Sequence, residues 1–202
     1  VLYNLTQYQL EKTLFPLATY NKEMVRKIAE DSGLINARKP DSQDICFVPD
    51  GDYASFIKKY TGKEFEQGNF LDIKGNIIGK HRGVVNYTIG QRKGLGISLG
   101  KKMFVIDKNH EENTVTLGEI NDLVSYEVYA EDINLIYISD IKSPLRVKSK
   151  NRYNQKEEDA TVYLHKDSEL KIVYDNPQIA VSKGQSVVFY QNDILVGGGK
   201  IK

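Results

Sequence analysis

The sequence predicts a mainly β chain of the α+β class. It reads as a short helical N-terminal segment, a small β-rich central domain and a C-terminal antiparallel β-barrel. Three observations predict this. Helix signals are confined to roughly the first 62 residues. From about residue 66 glycines recur at 68, 75, 79, 83, 90, 94, 96 and 100, with short β-type runs between them. From residue 125 onward six short strand candidates follow one another with turns between, the pattern of a small barrel or sandwich.

Taken in order, Thr6 with Gln9 fits a capping box, and Pro16 ends or restarts the helix. Asn21 caps a second helix whose apolar face is Met24, Val25, Ile28 and Ala29, with Gly33 where a left-handed terminal residue belongs. Residues 39–49 read as a polar loop running into a short apolar strand. A third helix is expected at 52–60, with Tyr53, Phe56, Ile57 and Tyr60 on one side and Gly62 as its stop. The central runs 69–73, 84–88, 103–107 and 114–118 read as strands. So do 128–135, 145–153, 160–165, 169–174, 185–190 and 194–197 in the barrel. Gly197-Gly198-Gly199 reads as a turn or bulge before a closing strand.

Composition excludes several classes. Apolar residues make up 40% and charged residues 27% of the 202, ordinary for a globular chain and too apolar for a disordered one. No apolar run approaches a membrane span. The 28 bases and 27 acids leave a net charge of +1, so any nucleic-acid role must come from local patches. The single cysteine, Cys46, excludes an internal disulfide and points to a reducing compartment, hence a cytoplasmic protein. The chain begins at Val1 and its first methionine is Met24, so it reads as a fragment of a longer protein.

Two windows hold bases and no acids. Residues 73–106 contain Lys74, Lys80, Arg82, Arg92, Lys93, Lys101 and Lys102; residues 141–156 contain Lys142, Arg146, Lys148, Lys150, Arg152 and Lys156. If 145–152 is a regular strand, Arg146, Lys148, Lys150 and Arg152 share one face, a row of cations suited to phosphates, with Tyr153 beside it to stack on a base. The competing reading is a solvated sheet face. Cys46 is either an inert buried thiol or, given its loop of Ser42, Gln43 and Asp44, a reactive one. Gly94-Leu95-Gly96 lacks the further glycine of a dinucleotide loop and the Gly-Lys-Ser/Thr of a Walker loop. His81, His110 and His165 form no recognisable metal set.

Several segments together carry a resemblance. They are Leu14-Phe15-Pro16-Leu17, Asp41-Ser42-Gln43-Asp44-Ile45-Cys46-Phe47, Gly79-Lys80-His81-Arg82-Gly83 and Tyr87-Thr88-Ile89-Gly90-Gln91-Arg92-Lys93-Gly94-Leu95-Gly96-Ile97. Arg152-Tyr153-Asn154-Gln155 and Gly184-Gln185-Ser186-Val187-Val188-Phe189-Tyr190 complete the set. In this order they closely resemble the bacterial tRNA-specific 2-thiouridylases. The resemblance implies an enzyme making 2-thiouridine at the wobble position (U34) of tRNAs for Lys, Glu and Gln. ATP with magnesium, bound in an N-terminal pyrophosphatase domain, adenylates the uridine. A persulfide cysteine, charged by a sulfur-relay protein or cysteine desulfurase, then supplies the sulfur, and a second cysteine releases it through a disulfide.

By resemblance Cys46 is the persulfide carrier, and Arg152, Tyr153 and Gln185 are tRNA contacts. The basic windows add Lys148, Lys150, Arg92 and Lys93 as candidate tRNA contacts. The family's Ser-Gly-Gly-x-Asp-Ser loop and its second cysteine are absent from these 202 residues, so the fragment alone is expected to be inactive. The resemblance divides the chain into a helical tail of the catalytic domain at 1–47, a central domain at 48–120 and a β-barrel at 125–202. The alternatives are a standalone RNA-binding β-barrel module without catalysis and a generic β-rich interaction domain.

Overall fold

A computed structural model of the chain describes residues 2–39, 48, 52–141 and 144–202. The chain divides into two compact units, Gln7–Lys63 and a larger one formed by Val1–Thr6 with Glu64–Lys202.

The smaller unit is helical. α1 spans Gln7–Glu11, α2 Lys22–Asp31 and α3 Tyr53–Thr61. Asn21 opens α2: its side-chain oxygen accepts the Met24 amide at 2.9 Å, satisfying one of the amides a helix start leaves unpaired. Gly33 follows its end at φ +70°. Asp52 caps α3 by accepting the Ser55 amide at 3.0 Å and the Ser55 hydroxyl at 2.6 Å, which holds its carboxyl below the ordinary range. Gly62 stops that helix at φ +67°. The apolar face expected on α2 exists in sequence, yet Met24 and Ile28 stay exposed, and no residue of the three helices is buried. None is long and apolar enough to cross a membrane.

The larger unit begins with a four-stranded sheet: β1 (Gly68–Leu71), β2 (Ile77–His81), β3 (Phe104–Asn109) and β4 (Thr114–Gly118), ordered β2-β1-β4-β3. β1 and β4 run parallel; the other pairs are antiparallel. Asp72 builds the β1–β2 turn, accepting the Lys74 and Asn76 amides at 2.8 and 2.9 Å. The strand expected at 84–88 is absent. Val84–Asn86 forms a 3-10 turn instead, and the strand is 77–81. Gly83 at φ +100° turns the chain, and the Asn86 side chain donates to Arg82 O at 2.7 Å and Gly83 O at 3.1 Å, closing the turn. The β-branched pair is used to bury Val84, not to extend a strand. Phe70, Tyr87, Val105, Val115 and Leu117 form the core beneath this sheet.

The second part is a closed barrel, as expected. β5 (Val124–Leu135), β6 (Leu145–Lys150), β7 (Glu158–Leu164), β8 (Leu170–Ile179), β9 (Ser186–Gln191) and β10 (Ile194–Ile201) close in the order β10-β5-β8-β7-β6-β9. Closure leaves no strand edge unpaired. Alternate residues face in: Val147, Ala160, Val162, Leu170, Ile172, Val187, Phe189 and Val196 fill the interior. The glycine triplet lies inside β10, whose pairing slips between Leu195 and Gly197 and again between Gly198 and Lys200. Gly198 has a specific reason: a β-carbon there would stand 2.9 Å from the ring of Tyr3. Tyr3 is buried in the 3-10 turn Leu2–Asn4, its hydroxyl 2.7 Å from Ser186 Oγ, and Asn134 donates to the Tyr3 and Leu5 carbonyls. The N-terminal strap is thus seated on the barrel.

Candidate nucleic-acid interface

One end of the barrel gathers most of the candidate residues. Antiparallel register puts the start of β5, the ends of β6 and β8 and the start of β9 together. Val124 pairs with Ile179, and Lys150 pairs with Val188. Residues 151–155 leave β6 at that end, and residues 180–185 connect β8 to β9 there. The same end meets the sheet part: the Ala180 amide donates at 2.9 Å to the carbonyl of Leu123, the last residue of the 3-10 turn Ile120–Leu123.

Arg152 and Tyr153 sit on the 151–155 turn. The Arg152 guanidinium donates to the Ala180 carbonyl, tying the two connections together. Tyr153 is 93% exposed, which stability alone does not require of an aromatic side chain. Gln185 is exposed at the entry to β9, its amide bonded to Ser182 O at 3.3 Å. The glycine-rich loop reaches the same place. Gly90 has φ +85°, and a β-carbon on it would stand 2.9 Å from that of Ala180. Only glycine meets both the backbone conformation and the close approach without strain.

That loop is pinned. The Gly90 amide donates to Val105 O at 2.8 Å and the Val105 amide to Gln91 O at 2.9 Å. Gln91 accepts the Thr88 amide at 3.0 Å and donates to Lys93 O at 3.0 Å. Lys108 donates to Tyr87 O at 2.7 Å from a half-buried position, and burial lowers its pKa. His81 fixes the loop's approach. Its Nδ1 accepts the Gly83 amide at 3.0 Å, so its Nε2 carries the proton facing Asn113 O at 3.1 Å, and burial pushes its pKa down. Arg92 and Lys93 project from this frame, exposed and without an acidic partner among the described residues.

The expected cationic row differs from the one observed. β6 ends at Lys150, and Asn151 turns inward as a buried residue, so Arg152 is not in register with Arg146, Lys148 and Lys150. The other three are paired with acids from the neighbouring segments. Arg146 forms a two-pronged pair with Asp175, Lys148 lies 3.4 Å from Asp159, and Lys150 lies 3.7 Å from Glu157 with its ammonium 5.6 Å from the Tyr190 ring centre. Arg146 depresses the Asp175 carboxyl through these bonds and is itself raised. The physical reason is register: Lys148 stands opposite Asp159 on β7, which lies outside the acid-free window. Cys46 lies outside the described residues.

Sequence reasoning missed a set of polar residues inside the barrel. Ser149, Asn151 and Gln178 are buried beside Tyr174, and hydrogen bonds join them to Gln155. A signal existed: with the β6 cations facing out, Val147, Ser149 and Asn151 face in, and the inward side turns from apolar to polar toward the turn.

Three family models match the chain in succession. Residues 1–50 match the tRNA methyl transferase HUP domain, residues 54–119 the tRNA methyl transferase PRC-barrel domain and residues 125–201 the Aminomethyltransferase beta-barrel domain. The tRNA-specific 2-thiouridylase MnmA of Acetivibrio thermocellus is 54% identical over 201 residues, covering 100% of this chain and 56% of the relative. That of Clostridioides difficile is also 54% identical with the same coverage, and that of Desulfitobacterium hafniense is 48% identical over 211 residues, covering 100% of this chain and 57% of its own length. The chain spans a little over half the length of the curated relatives it matches. With all three models matched in order and near-half identity sustained from end to end, the chain belongs to the tRNA-specific 2-thiouridylase family.

Proposed function

We propose that this chain is the tRNA-gripping and sulfur-carrying part of an enzyme that makes 2-thiouridine at the wobble position (U34) of tRNA. The names of its relatives support the reaction class. The observation that carries the reading is the barrel end. There an exposed Tyr153, Arg152 and Gln185 adjoin the loop presenting Arg92 and Lys93. Unpaired cations hold phosphates and an exposed ring stacks on a base, the division of labour expected for a folded RNA substrate. In this reading residues 1–47 are the tail of the catalytic domain, 48–120 the central domain and 125–202 the barrel. The substrates are tRNAs for Lys, Glu and Gln, and the enzyme acts in the cytoplasm.

Cys46 is the proposed persulfide carrier, charged by a relay protein or cysteine desulfurase. Oxygen at C2 of uracil leaves poorly, so activation must precede attack, and a persulfide sulfur supplies the good nucleophile. The described residues do not fit an ATP–magnesium site. No three His, Cys, Asp or Glu side chains gather among them, and the Gly90 loop spends the Gly90 and Gln91 amides on its own carbonyls and on Val105. Adenylation is therefore assigned to the portion of the relatives' length that this chain does not span.

The test is nucleoside analysis of tRNA from cells carrying the complete enzyme with Cys46→Ser. Thiouridine should be lost while tRNA still binds. Normal thiolation in that variant would remove Cys46 from the chemistry. A product that is methylated and never thiolated would overturn the reaction class. Binding without any effect of the enzyme on thiolation would favour an RNA-binding module.

A further inference from the structure

We propose that Tyr174, Asn151, Gln178 and Gln155 are positioning residues: a hydrogen-bonded chain, buried at the barrel end, that holds the 151–155 turn in one shape and presents Tyr153 to the RNA. The inference rests on the tRNA-binding reading above and deepens it. The polarity of the chain follows from the donors available. Asn151 Oδ1 can only accept, so the Tyr174 hydroxyl donates to it at 2.5 Å. That uses Tyr174's one proton, so Ser149 Oγ must donate to Tyr174 at 2.8 Å. Asn151 Nδ2 then donates to Gln178 Oε1 at 3.3 Å, which also accepts from Gln155 Nε2, while Gln178 Nε2 donates to Asn176 O at 3.0 Å. Gln155 closes the circuit: its Oε1 accepts the Asn151 amide at 3.1 Å and its own amide donates to Arg152 O at 3.2 Å.

Reversing any one of these amides sets donor against donor or acceptor against acceptor, so the network allows one set of amide orientations beneath the turn. Ser149, Asn151, Tyr174 and Gln178 are each at most 3% exposed. Packing alone would be served by apolar residues of the same shape, as elsewhere in this barrel. The chain of bonds runs to the one turn bearing an aromatic side chain that is 93% exposed. A ring presented to a base binds better when the turn carrying it does not have to be ordered first.

These 202 residues contain no tryptophan, so Tyr153→Trp places their one indole on the turn, and its signal is read against the same protein with native Tyr153. In that background Tyr174→Phe, which deletes only the hydroxyl, should lower the indole's fluorescence anisotropy. Gln155→Ala, which removes one bond to the turn and one to Gln178 and leaves the apolar barrel interior in place, should do the same. With the native Tyr153, each variant should weaken binding of an unmodified tRNA transcript by about fivefold, the size of one buried hydrogen bond. Combined with Tyr153→Ala, neither should weaken it further. Thermal melts of each variant separate loosening of the turn from unfolding of the barrel, and Gln155→Ala keeps the test open if Tyr174→Phe unfolds. Unchanged anisotropy, or losses that multiply with that of Tyr153→Ala, would overturn positioning while leaving tRNA binding intact. If Tyr153→Ala itself binds tRNA at full strength, the turn does not touch the RNA, and both the positioning role and that part of the binding reading fall.

Discussion

Residues 141–156 and residues 73–106 hold six and seven bases respectively and no acid. In the folded chain three of the first set meet acids, and most of the second do not. Arg146, Lys148 and Lys150 find Asp175, Asp159 and Glu157 across the barrel surface. In the central stretch Lys101 pairs with Glu119 and Lys80 reaches the Asn69 amide oxygen, but Arg82, Arg92, Lys93 and Lys102 have no acidic partner among the described residues. The cause is topological. A strand's neighbours lie one strand spacing away whatever their distance in sequence, so β7 and β8 bring acids to β6. The glycine-rich loop is bonded to β3 only at Gly90 and Gln91, and beyond that point Arg92 and Lys93 pair with no strand among the described residues that could bring them an acid. A cation already paired must break that pair to hold a phosphate, and an unpaired one need not.

The largest expected effect tests this difference directly. Arg92→Ala with Lys93→Ala in the complete enzyme should weaken tRNA binding tenfold or more. It should also flatten the log–log salt dependence by about two units, one for each phosphate no longer neutralised. Filter binding over a range of salt checks both, and an unchanged slope would mean that these two cations do not meet the backbone. Next in size is Gly90→Ala. The substitution forces φ +85° on a residue with a side chain and sets two β-carbons 2.9 Å apart. It should cost about 1–3 kcal/mol in thermal or chemical unfolding and weaken tRNA binding, because the loop must move off the barrel end.

The sequence pattern carried the fold class, the six barrel strands and the helix caps at Asn21 and Gly62, because alternation and capping are local. It failed where the deciding partner was remote. The run at 84–88 looks like a strand, and it is the Gly83 and Asn86 turn that redirects it. The β6 cations look free until Asp159 and Asp175 are placed beside them. Gly198 looks like a turn residue until Tyr3, nearly two hundred positions away, is found lying on it. At the candidate interface, motif resemblance picked out Arg152, Tyr153 and Gln185. It gave no hint that Arg152 is tied to Ala180, or that a buried polar chain lies beneath Tyr153.

A smaller effect concerns the frame of the unpaired loop. His81 is buried and neutral, and its pKa lies below the ordinary histidine value because burial opposes the charged form. A group whose pKa is depressed on folding stabilises the fold above its unfolded pKa of about 6.5 and loses that contribution as pH falls through that value toward the folded one. Protonation also places a hydrogen on Nδ1, which now accepts the Gly83 amide. Stability measured by denaturant should therefore fall between pH 7 and pH 5, and His81→Gln should flatten that part of the profile. A variant with the same pH dependence as the native chain would assign the slope to other groups.

The smallest effect belongs to the paired window, and its smallness is the point. Lys148 and Asp159 are each about half exposed and 3.4 Å apart, an arrangement that water and salt screen well. Lys148→Ala should change unfolding free energy by less than about 1 kcal/mol, the range measured for exposed pairs. Its effect on tRNA binding decides between two accounts of β6. If the strand only solvates the barrel, affinity and salt slope both stay at native values, and the cationic row drops out of the interface. If the RNA displaces Asp159 and takes Lys148 for itself, affinity falls and the slope flattens by about one unit. Asp159→Asn separates the two again, because freeing the lysine should tighten binding only in the second case. The bidentate bonds from Arg146 to Asp175 and the seat of Lys150 against Tyr190 favour the first account, since both hold their cations to the barrel wall. We therefore expect Lys148→Ala and Asp159→Asn to bind tRNA as the native chain does, while the Arg92 and Lys93 variant does not.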